Sequence, residues 1–145
     1  MAFRTVVSTK DGKAFQKEVE APSLVGLKIG EKVDGSLVGL NGYTLEITGG
    51  SDKEGFPMRR DLPGLARKKI LLTGGSGYNA PQSGVRKRKS VRGNTVSELI
   101  IQVNLKVITA GEKPVHELWG ITPKPPKEKW KAPEGEAKPA PEEKT

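Results

Sequence analysis

The chain has 145 residues, 34% of them hydrophobic and 29% charged, which suits one modest domain with a tail. It has no cysteine, which excludes disulfides, thiol catalysis and cysteine-type zinc sites and fits a cytosolic compartment. No run of about 18 apolar residues occurs, so no membrane-spanning helix is predicted, and the formal net charge is +8.

The opening "MAFRTVVSTKDGKAF" lacks a basic segment followed by an apolar block, so it reads as a first strand and not as a secretory signal. "AFRTVVST" and "AFQKEVEA" are strand-like runs joined by "KDGK", and Asp11-Gly12 predicts a hairpin because both positions tolerate positive φ. Glycines then recur at 26, 30, 35, 39 and 42, leaving room for only a short helical turn in "PSLVGLK". "SLVGL" and "YTLEIT" are predicted strands joined by Asn41-Gly42, "KKILLTG" is another, and the alternation of "IIQVNLKVI" predicts a last strand. Between them, "EITGGSDKEGFPMRRDLPG" starts as a strand and then loses all hydrophobic period before Arg59-Arg60. Many short strands with frequent turns predict a mostly β fold. The expected architecture is a small antiparallel β-barrel-like domain over 1–110 with one or two short helices. An irregular, proline-rich tail over 111–145 completes it. That tail holds seven of the eleven prolines and is too poor in aliphatic residues to fold alone. Its "VHELWGI" island, with Trp119, reads either as docking on the chain's own domain or as a partner-binding peptide.

The charge is confined. Arg59, Arg60, Arg67, Lys68, Lys69, Arg86, Lys87, Arg88, Lys89 and Arg92 fall within residues 55–97 beside a single acid, Asp61, while the rest of the chain is close to neutral. Cations packed so densely repel one another unless an anion neutralises them, which points to a polyanion partner. Arginine adds a bidentate fork suited to phosphate. Phe56 and Tyr78 lie beside these clusters, suited either to stacking on unpaired bases or to ordinary packing.

Catalytic motifs are weak. "GSGYNA" after a strand fits a loose G-x-G-x-x-A, but Pro81, Gly84 and four cations follow, so no helix is expected to present its amides to a pyrophosphate. The loop reads instead as a turn whose glycines permit close backbone approach. Asp52, Glu54 and Asp61 are interleaved with Lys53, Arg59 and Arg60, which favours solvated acids or internal ion pairs over acid–base chemistry or magnesium. His116, the single histidine, cannot complete a histidine-rich metal site.

With these residues in view, the blocks "GSLVGLNGYTLEITGGSDKEGFPMRRDLPG", "ILLTGGSGY" and "RKRKSVRGNTVSELIIQVNLKVI" resemble the S-six-e family, the sixth ribosomal protein of the archaeal and eukaryotic small subunit, over roughly residues 1–110. The resemblance implies a non-catalytic protein with no cofactor, metal or small-molecule substrate. Its implied partners are small-subunit ribosomal RNA, bound on the lower body of the particle, and neighbouring ribosomal proteins, in the cytoplasm. By motif, the RNA-facing positions would be Lys53, Phe56, Met58, Arg59 and Arg60 in a first loop. Those of a second loop would be Arg86, Lys87, Arg88, Lys89, Arg92 and Asn94. Eukaryotic members carry a long basic extension with a phosphorylated serine cluster. Here no serine follows Ser97, so phosphoregulation is not implied and the form resembles the short archaeal one. The rival readings are a DNA- or chromatin-binding basic protein, a protein-interaction module acting through Trp119, and an enzyme using the glycine loop.

Overall fold

The computed structural model of the chain describes residues 2–111 and 113–121. Its strands are β1 (Ala2–Ser8), β2 (Ala14–Glu20), β3 (Lys32–Asp34), β4 (Thr44–Asp52), β5 (Arg67–Leu72), β6 (Lys87–Arg92) and β7 (Ile100–Thr109), followed by a helix α1 (Val115–Trp119). The five-stranded sheet has the order β2-β1-β7-β4-β3, and β5 and β6 form a separate ribbon. Pairing is antiparallel except between β1 and β7, which run parallel. The sheet curls into a half-barrel, in keeping with the mostly β, barrel-like reading.

Alternation builds that sheet. Phe3, Thr5 and Val7 of β1 and Val103, Leu105 and Val107 of β7 point into the core, while Arg4 and Lys106 point out. The curl comes from the β4–β7 ladder, whose register shifts between Thr44 and Leu45, between Ile47 and Gly49, and between Ser51 and Asp52. Each extra residue bends its strand and adds twist. Leu24, Val38, Leu40, Tyr43, Leu45 and Ile47 fill the concave side.

Three expectations change, and a fourth, the β1–β2 hairpin, forms as expected but with a longer connection. The "SLVGL" run is not a strand but a 3-10 turn, Gly35–Val38. Asp34 accepts from the Ser36 amide, and Gly39, at φ 77°, ends the turn in a left-handed conformation. The apolar run is thereby buried by winding, not by pleating. The hairpin at Asp11-Gly12 has a five-residue connection in which Gly12 alone takes positive φ (77°). The segment after "EIT" does not lose structure: β4 continues to Asp52, and a tight turn at Gly55 (φ 82°) sends the chain back so that Pro57 bridges Ser51. "RKRKS" is not a loop but most of strand β6, paired along its length with β5.

The packed unit also extends past residue 110. Val115 and Trp119 of α1 are buried in the same core as Tyr43 and Val107, and the indole Nε1 donates to the Val38 carbonyl at 3.1 Å. Trp119 therefore docks on its own domain. Tyr43 fixes the connection by donating from its hydroxyl to the Lys113 carbonyl at 2.7 Å. The proline-rich reading of 122–145 lies outside the described residues.

Candidate nucleic-acid interface

The basic segments meet at the Asp52 end of β4. Residues 57–59 form the hinge between sheet and ribbon. The Met58 amide donates to the Gly50 carbonyl of β4 at 2.9 Å, the Arg92 amide of β6 donates to Pro57 at 2.9 Å, and the Arg59 amide donates to Arg92 at 3.0 Å. Asp52 and Arg92 reinforce the junction through a buried ion pair, Nε to Oδ2, at 2.8 Å. The other side of the Arg92 guanidinium donates from Nη1 to the Leu65 carbonyl at 2.7 Å. Gly93, next in the chain, sits so close to the Gly64 carbonyl that no Cβ fits there.

The expected RNA-facing residues divide on this frame. Met58 is buried in the core, its sulfur seated over Gly50, so it is not available to a partner. Arg92, buried and doubly hydrogen-bonded, is likewise an internal residue and not a surface cation. Arg59 is mostly covered: it pairs with Asp61 at 2.8 Å and donates to the Ser76 carbonyl at 3.1 Å, pinning the glycine turn. Asn94 donates its amide to the Arg60 carbonyl at 3.4 Å, and its Oδ1 accepts from Thr95. Arg67 pairs with Glu54 and lies 4.6 Å from the Phe56 ring centroid, so Phe56 is half-buried beneath a guanidinium.

What stays open is a different set. Lys53, Arg60, Lys68, Lys69, Arg86, Lys87, Arg88 and Lys89 are exposed, and none has an ion-pair partner among the described residues. Glu54 and Asp61, the acids beside the ribbon, are already engaged by arginines. The surface of the ribbon therefore carries an uncompensated positive potential. The glycine turn has the relaxed form expected of it. Gly75 and Gly77 adopt φ of 90° and 96°, Tyr78 is half-buried, and no helix begins there to receive a pyrophosphate. Among the described residues no three of His, Asp and Glu gather as a metal site. Leu71, 56% exposed on β5 among these cations, was not singled out in the sequence. The signal for it lay in the "KKILL" alternation, which sets Lys69 and Leu71 on one side of the strand.

A sequence model of the family described as "Ribosomal protein S6e" matches residues 3–120. The chain belongs to that family. The small ribosomal subunit protein eS6 of Methanothermobacter thermautotrophicus is 52% identical over 123 residues, covering 83% of this chain and 97% of that protein. The eS6 protein of Archaeoglobus fulgidus is 48% identical over 124 residues, covering 82% and 96%. The S6e family is a structural component of ribosomes and not an enzyme family, and its archaeal small-subunit members are cytoplasmic. The match runs to Gly120, beyond the 1–110 span of the resemblance, so helix α1 lies within the S6e span of this chain.

Proposed function

We propose that this S6e chain is a structural constituent of the small ribosomal subunit that binds small-subunit ribosomal RNA through the β5–β6 ribbon, with Lys53 and Arg60 at its base. Neighbouring ribosomal proteins are its second class of partner, and the binding supports subunit assembly and translation. One observation carries the reading: Lys68, Lys69, Lys87, Arg88 and Lys89 stand exposed on one two-stranded ribbon, with Arg86 just before it, and no acid among the described residues pairs with them. A two-stranded ribbon is marginal by itself in water, and like charges weaken it further. Phosphates would remove that repulsion. Membership of the S6e family, together with the relatives' names as small-subunit proteins, supports ribosomal RNA as the polyanion.

The test is filter binding of the full chain to a small-subunit ribosomal RNA fragment across a salt series. With about six phosphates engaged, the slope of log affinity against log salt should be about −4 to −5. A flat response overturns the reading. Duplex DNA competing as well as the folded RNA would make the chain a general basic nucleic-acid binder instead.

A further inference from the structure

The β5–β6 register sorts the ribbon's side chains onto two sides. Arg67, Lys69 and Leu71 share one side with Arg88, Ser90 and Arg92, because directly paired residues in an antiparallel ladder face the same way. Lys68, Ile70 and Leu72 share the other with Lys87, Lys89 and Val91. On that second side Leu72 and Val91 are buried, and the turn at Gly77 lies against both with Pro57 beside it, while Lys68, Lys87 and Lys89 remain exposed around them. The first side is open at Lys69, Leu71 and Arg88, with Arg92 buried at its far end. On it Leu71 stands directly across from Arg88, and Lys69 stands two residues along the same strand, across from Ser90. At that far end Arg67 covers the Phe56 ring.

Leu71 is the feature that phosphate binding leaves unexplained. Neutralising Lys69 and Arg88 requires no apolar neighbour, yet Leu71, next to last in β5 and 56% exposed, leaves an apolar surface in water between these two cations. A ligand that covers it must offer an apolar surface flanked by negative charge. An unpaired nucleotide does so, since each base has a flat apolar face and a phosphate on either side. A regular RNA duplex does not, because its base faces are stacked on one another.

We propose that the open side of the ribbon is a platform for unpaired nucleotides, with Leu71 packed on a base and Lys69 and Arg88 on the flanking phosphates. This rests on the RNA-binding reading above and adds the class of RNA: a bulge, loop or single-stranded junction. The platform is tolerant of sequence, since packing on a base face reads no hydrogen-bonding edge.

The experiment compares the full chain with Leu71→Ser, Leu71→Phe and the double variant Lys69→Ala, Arg88→Ala. Each is titrated with a small-subunit ribosomal RNA fragment, a single-stranded oligoadenylate and a blunt RNA duplex at several salt concentrations. Leu71→Ser should weaken binding to the fragment and to oligoadenylate about fivefold to tenfold without changing the salt slope. It should leave duplex binding unchanged, and Leu71→Phe should match or exceed the parent. The double variant should lower the magnitude of the slope by about two. Parental binding by Leu71→Ser, or an equal loss on duplex, overturns the platform. If the double variant alters neither affinity nor slope while the parent binds the fragment with a steep salt dependence, the platform fails and RNA binding stands; a flat salt response of the parent itself sinks the RNA-binding reading, so the two failures are distinguishable. Because Leu71 is largely exposed, the serine variant keeps its fold, and a melting curve checks this.

Discussion

The Arg92 guanidinium donates to the Asp52 carboxylate at 2.8 Å across 40 residues of chain, with side chains only 9% and 4% exposed. Asp52 ends β4 and Arg92 ends β6, so this one pair ties the curled sheet to the cationic ribbon. The second carboxylate oxygen accepts from the Lys53 amide, and the second side of the guanidinium reaches Leu65. Neither charge is left without a partner, as burial requires.

Removing one partner should therefore be costly. Arg92→Ala leaves a buried carboxylate uncompensated, which costs about 3–5 kcal/mol and should lower Tm by roughly 10 °C or more. Arg92→Lys keeps the charge but cannot span both Asp52 and Leu65, so its Tm should fall between the two. Circular-dichroism melts measure this. A melting point within a degree or two of the parent for Arg92→Ala would show that the pair contributes nothing to the junction.

Arg59 and Arg60 are neighbours in sequence but should behave differently. The Arg59 side chain is 16% exposed and holds the turn at Ser76, so Arg59→Ala should cost about 1–2 kcal/mol of stability. Arg60 is exposed, with its guanidinium lying over Gly30. Arg60→Ala should change stability by less than about 0.5 kcal/mol, and should reduce the salt slope of RNA binding by about one. Paired melting and filter-binding measurements separate the two residues. Equal behaviour of the two variants in both assays would refute the division.

Much of this arrangement was legible in the sequence, and the residues that were not share a cause. Strand β7 announces itself through alternation, and β1 and β5 through short apolar-containing runs between turn signals, all of which are local. The concentration of cations in residues 55–97 is likewise visible by inspection. Whether a given cation faces inward depends on contacts far along the chain, and Arg92 looks no different from Arg88 until Asp52 is brought beside it. Met58 is buried because Gly50, eight positions earlier, leaves space for its sulfur. "SLVGL" has a strand's composition, yet a cap at Asp34 and a left-handed Gly39 wind it into a turn. The "VHELWGI" island stands out against the proline and charge of 111–145, but whether it docks on this domain or on a partner is decided only when Val115 and Trp119 meet the folded core.

Those anchors determine where the chain can be shortened. Trp119 is 6% exposed, its indole donates to Val38, and Lys17 lies 6.0 Å from the ring centroid. Trp119→Phe retains most of the buried surface and loses the hydrogen bond, which should cost about 1 kcal/mol. Trp119→Ala removes the burial as well and should cost about 3–5 kcal/mol. Truncation after Ala110 strips Val115 and Trp119 from the core together and should destabilise at least as much as Trp119→Ala. Ending the chain after Ile121 keeps both anchors and should leave Tm unchanged. Denaturant unfolding of the four variants gives the order: truncation after Ile121, Trp119→Phe, Trp119→Ala, truncation after Ala110, from most to least stable. If the chain cut after Ala110 unfolds at the parental midpoint, helix α1 is an attachment to the core and not a part of it.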